Sequence, residues 1–335
     1  MQVMSHDLTL VTGATGLVGN NVVRRLLADG GGIRALVRSG QASREFAGLD
    51  VEVFAGDVTD PDSVRRACEG VAAVVHAAGF VQLGRTRLDV HRAINVEGTR
   101  NVAAAARQAG AKMVHVSSCD ALGVRSRNEP ADEETEPNGR LRVPYAITKR
   151  EAELVVLEAV AAGLDATIVN PGFMLGPWDW KPSSGRMLLE VARGRGWVAP
   201  RGYFSVCDVR DVADGIAAAL ERGQTGRRYI LAGTTMRYID AWRLFAEVTA
   251  ARRPLMAAGP LVAKLAGWTG DAIGKLTGKE PDVNSGAFAL AALPKHYTIA
   301  RAEQELGYRH RPVRESVEDA WRWFQEFGFV GGNRR

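Results

Sequence analysis

Hydrophobic residues in the first half of the chain occur as short continuous runs, separated by longer segments with helical periodicity. Short apolar runs bounded by Gly, Pro or polar residues are typical of strands. Because these runs do not alternate apolar with polar residues, both faces of the sheet are expected to be covered, as in parallel sheets. The pattern predicts strands at residues 8–11, 33–37, 51–55, 72–76, 112–117 and 165–169, and helices at 17–28, 61–69, 93–108 and 144–162.

The second half of the chain is less regular. Residues 171–201 contain five Gly, four Pro and three Trp, whereas 204–220 resume as a strand followed by a helix. We therefore predict an α/β protein with a doubly wound parallel Rossmann sheet and a smaller, mostly helical C-terminal substrate lobe. The dinucleotide-binding domain spans 7–170 with returning segments at about 204–232, and the lobe comprises 171–203 and 233–330. The cleft between them is the expected substrate site.

Composition restricts the class of partner and the compartment. Of 335 residues 46% are hydrophobic, and the net charge of +5 is scattered along the chain, so we expect a small-molecule substrate and no nucleic-acid partner. Cys68, Cys119 and Cys207 lack the spacing of a disulfide framework or a metal site. No signal peptide or membrane-spanning run is indicated, which favours a cytoplasmic protein with no integral membrane segment. For the apolar helices at 260–276, packing in the lobe is favoured over contact with a membrane.

A glycine-rich turn lies between the first predicted strand and helix. In this context Gly13 permits a tight turn, Gly16 lets the backbone approach a pyrophosphate, and Gly19 allows close packing of helix on strand. The helix N-terminus offers N–H groups and a partial positive charge to phosphates. The turn predicts a dinucleotide site formed by Gly13, Thr15, Gly16, Leu17, Val18 and Gly19.

The residues after the second and third strands bear on which dinucleotide binds. Arg38 stands where an acidic residue would accept hydrogen bonds from the ribose of NAD, and its guanidinium suits a 2′-phosphate. NADP(H) is therefore favoured, with a solvated Arg38 and NAD(H) as the alternative. Asp57, followed by Val58, is placed to meet the adenine amino group, and a role as an N-cap or turn residue is its alternative.

Tyr145 and Lys149 lie four residues apart at the start of a predicted helix, so the phenol and the ammonium share a face. A neighbouring cation and a positively charged nicotinamide would lower the tyrosine pKa from about 10 and make it an acid or base near neutrality. Ser118 ends the fifth strand, at the edge of the sheet where ligands bind. We choose it over Ser117 because successive strand residues face opposite sides.

Weaker candidates surround this pair. Asn95 is polar within an apolar helix, and it is expected either to hold a water or backbone group behind the lysine or to be a buried structural amide. For Trp178 and Trp180, which follow the sixth strand, a substrate wall and lobe packing are equally supported. Phe80 and Met174 would add an apolar lining, which favours a flat, apolar substrate over a sugar nucleotide.

Together these motifs resemble those of the extended short-chain dehydrogenases/reductases, the NAD-dependent epimerase/dehydratase family, over essentially the whole chain. Within it the chain resembles the dihydroflavonol reductase/3β-hydroxysteroid dehydrogenase branch and the hopanoid-associated sugar epimerase-like proteins. The resemblance implies a catalytic triad of Ser118, Tyr145 and Lys149. It also implies backbone contacts, near the adenosine ribose at Ala77 and Ala78 and near the nicotinamide carboxamide at Pro171, Gly172 and Phe173.

The sequence departs from the family after Ser118. The dehydratase branch has an Asp-Glu pair where this chain has Cys119-Asp120, so sugar dehydration is disfavoured. Relatives often dimerise through two helices, and 93–108 and 144–162 are apolar enough to form a homodimer.

Three functions remain, in order of preference. The first is an NAD(P)-dependent oxidoreductase that transfers a hydride to or from a carbonyl or secondary alcohol of a small, apolar or ring-containing substrate, with Tyr145 as acid/base. The alternative is an NAD-dependent sugar-nucleotide epimerase that uses the same triad. A non-catalytic cofactor-sensing protein comes last, because such relatives often lose the Tyr/Lys pair.

Overall fold

Strands and helices alternate through the first half of the chain, as the hydrophobic pattern predicts. The computed structural model describes residues 7–38, 44–126, 128–137 and 143–330. The first half comprises β1 (Leu8–Thr12), α1 (Leu17–Ala28), β2 (Gly32–Val37), β3 (Glu52–Ala55), α2 (Pro61–Ala67), β4 (Ala73–His76), α3 (Leu88–His91), α4 (Gly98–Ala109), β5 (Lys112–Val116), α5 (Pro144–Ala161) and β6 (Ala166–Pro171). The second half comprises β7 (Phe173–Leu175), α6 (Gly185–Ala192), β8 (Val198–Ala199), β9 (Tyr203–Asp208), α7 (Val209–Arg222), β10 (Arg228–Leu231), β11 (Thr234–Arg237), α8 (Tyr238–Val248), β12 (Met256–Ala257), α9 (Pro260–Thr277), α10 (Ser285–Ala291) and α11 (Val313–Glu326).

A seven-stranded parallel sheet, in the order β10-β6-β5-β4-β1-β2-β3, carries the predicted site. Alternating strand residues supply two cores, with Val11 and Val75 facing α1 and α7, and Leu10 and Val74 facing α2, α4 and α5. The strand order reverses between β1 and β4, and ligands bind beyond the carboxyl ends of the strands at such a point. The predicted doubly wound Rossmann fold with a helical C-terminal region is confirmed.

A separate three-stranded sheet, in the order β11-β9-β7, lies beside the main one. Within residues 204–232, β10 pairs with β6 of the main sheet and α7 packs on α1. The strand β9 pairs with β7 and β11 instead. The division into a cofactor domain and a substrate lobe stays a prediction.

The helix predicted at 93–108 begins with a π-helical stretch, Arg92–Glu97, before it continues as α4. A π-helical turn accommodates an extra residue, and such turns are frequent at functional sites. Asn95 lies in this stretch and is buried. The departure from α-helical geometry thus coincides with a candidate site residue.

Two histidines lie side by side in the middle of the sheet. His76 and His115 are in register in β4 and β5, with ring centroids 5.3 Å apart. Burial, with a smaller contribution from Lys149, lowers the pKa of His76 to about 3. Burial also holds the pKa of His115 well below its usual value, and neither nitrogen of His115 has a hydrogen-bond partner among the described residues. Both imidazoles are therefore neutral in the folded protein at neutral pH.

We predict that His115→Leu makes the protein less sensitive to acid. An unfolded histidine takes up a proton below a pH of about 6.5, whereas buried His115 stays neutral, so the folded state loses about 2 kcal/mol of stability per such histidine between neutral pH and pH 5. The variant should lose about 2 kcal/mol less over this range. Urea unfolding followed by circular dichroism at both pH values measures this. The exposed His310→Leu is the control, and an unchanged loss in His115→Leu would contradict the prediction.

Candidate active site

The glycine turn brings the start of α1 against the end of β4. Gly13 has a φ of +68°, and a Cβ there would lie 2.6 Å from the backbone of Ala77 and Ala78. A Cβ at Gly19 would lie 2.3 Å from the Gly13 carbonyl oxygen. Both distances are too short for any side chain, so only glycine permits this approach. Ala77 and Ala78, the predicted neighbours of the adenosine ribose, therefore lie against the turn.

The N-terminus of α1 suits a diphosphate. Gly16 is the N-cap, no side-chain hydrogen bond caps the helix, and no acidic residue lies in its first turn. The N–H groups at the start of the helix thus keep their donor capacity, and the partial positive charge is not offset by a carboxylate. Lys181 Nζ lies 3.4 Å from the Thr15 hydroxyl and 3.5 Å from a carboxylate oxygen of Glu45, with which it forms an ion pair. The donor set fits the diphosphate of a dinucleotide, which Gly13, Thr15, Gly16, Leu17, Val18 and Gly19 would hold.

The loop after β7 packs on α1 and α11. The guanidinium carbon of Arg24 lies 3.4 Å from the ring centroid of Trp178. The ring of Trp180 is buried, with its centroid 5.0 Å from that of Trp323 and 4.9 Å from that of Phe327. This placement agrees with lobe packing for both tryptophans rather than with a substrate wall, because aromatic rings of the C-terminal segment enclose them.

The residues that follow β2 and β3 are the candidates for contacts with the adenosine part of the cofactor. Arg38 directly follows β2 and is exposed at the carboxyl edge of the sheet. The Asp57 carboxylate oxygen Oδ1 accepts hydrogen bonds from the backbone and the hydroxyl of Thr59, both at 2.9 Å, which is the turn role weighed as its alternative. Val58 is buried against Gly98, where a Cβ would lie 2.9 Å from the valine Cγ2.

A chain of hydrogen bonds connects the glycine turn with the helix that carries Asn95. The Thr12 hydroxyl lies 2.7 Å from His76 Nδ1, and His76 Nε2 lies 3.0 Å from the Thr99 hydroxyl. The Thr99 hydroxyl donates its proton to the Asn95 carbonyl oxygen at 2.6 Å. His76 must therefore donate from Nε2 and accept from Thr12 at Nδ1, which assigns its neutral tautomer. Because the low pKa of His76 keeps the ring neutral, each of these hydrogen bonds keeps the same donor and acceptor.

Asn95 fastens the loop after β4 to α5. Its side-chain oxygen accepts from the Phe80 N–H at 2.7 Å, and its amide nitrogen donates to the Phe80 carbonyl at 3.1 Å. The same nitrogen donates to the Thr148 hydroxyl at 3.0 Å, one residue before Lys149. Asn95 thus holds a backbone group behind the lysine, one of the two roles expected of it. Phe80 itself packs edge-on against His91.

Tyr145 and Ser118 meet at the carboxyl end of β5. Their side chains lie close enough for Ser118 to affect the Tyr145 pKa, and the Ser118 hydroxyl accepts from the Asp120 N–H at 3.1 Å. Ser117 faces the other way and donates to a carboxylate oxygen of Glu153 at 2.6 Å. The structure therefore brings Ser118, rather than its neighbour, to the tyrosine.

Burial dominates the protonation of Tyr145. The pKa of Tyr145 is raised to about 12, mainly by burial and also by the charge of Asp120, while Ser118 and the charge of Lys295 act in the opposite direction. The expectation that Lys149 lowers this pKa is not met by the protein's own groups. Tyr145 is consequently a neutral phenol at neutral pH, able to donate a proton.

The ammonium of Lys149 is buried and aimed at the sheet. Its Nζ donates to the Val116 carbonyl oxygen at 2.9 Å, and a Cβ at Gly79 would lie 3.4 Å from it. Burial lowers the pKa of Lys149 to about 8, with Glu153 opposing the shift. Because Gly79 has no side chain, the approach to Nζ stays open on that side.

The end of β6 is fixed by a buried carboxylate. Glu153 Oε1 accepts from the Asn170 amide at 2.6 Å, and Arg228 Nε donates to Glu153 Oε2 at 2.7 Å. At Gly172 a Cβ would lie 2.7 Å from the Ser205 carbonyl oxygen, so the chain passes close to β9. This network sets the course of the segment predicted to meet the nicotinamide carboxamide, namely Pro171, Gly172 and Phe173. Met174 follows in β7 and is half-buried.

An ion pair beside Tyr145 has no counterpart in the sequence-based assignment. Lys295 Nζ lies 2.6 Å from Asp120 Oδ1, and both side chains are mostly buried. Burial disfavours the charge of Lys295, but Asp120 together with Tyr238 and Cys119 outweighs burial, and the lysine pKa is raised. The two residues are 175 positions apart in the sequence, and Lys295 lies outside every motif. The one signal in the sequence for this position is that Asp120 stands where the dehydratase branch of the family has the second residue of its Asp-Glu pair.

Cys119 lies between Ser118 and Asp120. Burial raises the pKa of its thiol well above the usual value, and its Sγ donates to the Asn170 carbonyl oxygen at 3.1 Å.

We predict that the Asp120–Lys295 pair contributes to stability only as a pair. Asp120→Asn or Lys295→Met alone leaves one uncompensated buried charge and should lower the free energy of unfolding by about 3–5 kcal/mol. The double variant should lose clearly less than the sum of the single losses. Urea unfolding of all four proteins measures the coupling. The exposed Glu247–Arg314 pair is the control, with an expected loss of at most about 1 kcal/mol in Arg314→Met. Additive losses at Asp120 and Lys295 would contradict the prediction.

Known proteins with similar sequences identify the family of the chain. The model of the family described as "NAD dependent epimerase/dehydratase family" matches residues 9–232. The chain is 36% identical to sterol demethylase protein B of Methylococcus capsulatus, covering 96% of this chain and 99% of that protein. It is 30% identical to 4-hydroxy-2-methyl-3-oxo-4-farnesyl-3,4-dihydroquinoline-1-oxide ketoreductase of Stigmatella aurantiaca, covering 94% and 95%.

A solved structure supports the same grouping. The crystal structure of gox2253 is 36% identical, has a TM-score of 0.84, and the match covers 96% of this chain and 99% of that one. The family is NAD(P)-dependent, and its members are oxidoreductases or epimerases of the extended short-chain type. The chain belongs to the NAD-dependent epimerase/dehydratase family of extended short-chain dehydrogenases/reductases.

Proposed function

We propose that the protein is an NADP(H)-dependent carbonyl reductase, or secondary-alcohol dehydrogenase in the reverse direction. The observation that carries the proposal is that the Tyr145 and Ser118 side chains lie side by side at the carboxyl edge of β5, with the Lys149 ammonium on the same helix face as the phenol. Tyr145 has a raised pKa of about 12 and thus keeps its proton at neutral pH. A protonated phenol beside a second hydroxyl is suited to donate a proton to a carbonyl oxygen.

The roles of the three side chains follow from these contacts. The Ser118 hydroxyl would hold the substrate carbonyl oxygen, and Tyr145 would transfer its phenolic proton to that oxygen as the carbonyl is reduced to an alcohol. A bound nicotinamide would supply a hydride, which is a hydrogen with two electrons, to the carbonyl carbon. Lys149 would bind the cofactor ribose through Nζ, whose approach Gly79 leaves open. The Ser118 hydroxyl and the charge of Lys295 would favour the phenolate that remains.

The substrate class is inferred from the lining and from the relatives. Tyr145 packs in an apolar cluster with Val143 and Leu290, and Phe80 and Met174 are the expected further lining. The two relatives named above act, by their names, on a sterol and on a farnesylated quinoline. We infer a carbonyl or alcohol on a ring of an apolar, lipid-like substrate rather than on a sugar nucleotide.

A cytoplasmic setting is supported by Cys68, Cys119 and Cys207, which are free and buried.

We predict that Tyr145→Phe lowers turnover by about 100-fold or more, because the proton donor is lost, while NADPH still binds. A panel of ring ketones monitored by NADPH absorbance measures turnover, and fluorescence titration measures cofactor binding. Tyr308→Phe, which removes a hydroxyl bonded to the Ala232 carbonyl, is the control and should keep its activity.

Two outcomes would overturn this assignment. Retained turnover in Tyr145→Phe would remove the tyrosine from the chemistry. A purified protein that holds NAD tightly and shows no net cofactor oxidation with any ketone, but interconverts sugar nucleotides, would be an epimerase.

We further predict that Arg38 sets the cofactor preference. Arg38→Gln removes a charge-assisted hydrogen bond to the 2′-phosphate and should lower kcat/KM for NADPH by about 10- to 100-fold, leaving that for NADH unchanged. Steady-state kinetics with both cofactors measures the ratio. Arg66→Gln, at an exposed arginine on α2, is the matched control. Equal losses with both cofactors would indicate a general effect and contradict the assignment.

A further inference from the structure

Helix α9 has its large apolar side chains turned outward. The side that faces the protein is made of small residues, of which Gly267 and Gly270 are buried. A Cβ at Gly270 would lie 1.8 Å from the Val283 carbonyl oxygen, so glycine is needed for this close approach. In contrast Leu261 is 76% exposed and Leu276 is 87% exposed. This arrangement reverses that of an ordinary surface helix, which buries its leucines.

The outward residues form one continuous stripe, here called the apolar face of α9. At about 100° per residue, Leu261, Leu265, Trp268 and Leu276 fall on the same side of the helix, with Val262 and Ile273 beside them. Two neighbouring segments also expose apolar residues beside this face. One is β12, which leads into α9, and the other is β8, which pairs with β12. The exposed residues are Trp197, Val198, Leu255 and Met256. Proteins that stay monomeric in water seldom expose so many clustered apolar residues without a binding role.

Cations border the apolar face. Lys264 and Lys275 lie along one side of the stripe, and Lys264 Nζ is 4.7 Å from the ring centroid of Trp268. Arg252, Arg253 and Lys279 are also exposed nearby in the chain, and within the described ranges none of the five pairs with a carboxylate. The neighbouring carboxylates are engaged elsewhere, Asp271 with the Ser285 N–H and Glu280 with the Thr86 hydroxyl.

The combination of apolar and cationic residues indicates what binds to the apolar face of α9. A leucine- and tryptophan-rich face bordered by lysines is the pattern of helices that lie in the interface of an anionic bilayer. A second copy of the chain fits less well, because a two-fold contact about an axis across the helix would bring the two cationic borders together. Among the described residues, no helix has the length and apolar character needed to cross a membrane. The helix therefore suits the surface of a bilayer rather than its interior.

We propose that the apolar face of α9 docks onto an anionic lipid bilayer, with the bordering lysines and arginines contacting lipid phosphates. The face is also connected to the candidate active site. Helix α10 packs on α9, and its Leu290 belongs to the cluster that contains Tyr145. Resting on the proposed function, this places the catalytic tyrosine one helix behind the membrane contact, where a lipid-dissolved substrate would reach it.

Vesicle co-sedimentation of the full chain tests the docking without any measurement of activity. Wild-type protein should sediment with vesicles of equal parts phosphatidylcholine and phosphatidylglycerol, and more weakly with phosphatidylcholine alone. Leu265→Ser/Trp268→Ser should weaken the partition by about tenfold or more, because two buried apolar contacts are lost. Lys264→Glu/Lys275→Glu should weaken binding to the anionic vesicles by about fivefold or more per lysine.

Matched controls change an exposed leucine and an exposed arginine elsewhere. Leu154→Ser on α5 and Arg66→Glu on α2 should bind vesicles like the wild type. Thermal unfolding confirms that each variant is folded, and turnover of a water-soluble ketone shows the reductase activity separately. Failure of the wild type to sediment, equal losses in the controls, or a wild-type dimer that becomes monomeric in Leu265→Ser/Trp268→Ser would overturn the docking proposal. Retained vesicle binding with no ketone turnover would instead overturn only the proposed function.

Discussion

The neutral imidazole of His76 is the contact on which the arrangement of the site depends. It accepts from Thr12 at the glycine turn and donates to Thr99, whose hydroxyl reaches the carbonyl of Asn95. The Asn95 side chain then binds Phe80 and Thr148. The backbone that would hold a diphosphate and the helix that carries Tyr145 and Lys149 are thereby kept in a fixed relation. Burial enforces this by making a charged imidazole unfavourable at this position.

The sequence predicted those features that depend on residues close together in the chain. The glycine turn, the parallel strands and the four-residue spacing of Tyr145 and Lys149 each involve residues that are close in the chain, so their consequences can be read from spacing. The choice of Ser118 over Ser117 rested on strand alternation, and the structure does place Ser118 beside the tyrosine.

Long-range packing decided the features that the sequence did not predict. Lys295 reaches Asp120 across 175 residues, so no spacing rule could pair them. Trp178 and Trp180 follow β7 closely, yet α11 from the far end of the chain encloses them. The segment β9 looks like any other buried strand in the sequence, and its long-range pairing with β7 and β11 places it in the second sheet. Periodicity identifies apolar residues in α9 but not which side of the helix meets the protein, which Gly267 and Gly270 determine.

The environment of Cys119 has a consequence for how the protein responds to its surroundings. A thiol next to Ser118, at the candidate active site, would ordinarily be a point of attack for peroxides and alkylating agents, which react with the thiolate. Here the sulfur is buried, keeps its proton and is held by the Asn170 carbonyl. Oxidative stress should therefore leave the Cys119 thiol unmodified, and inhibitors that react with cysteine would have no reactive thiol to modify at this position.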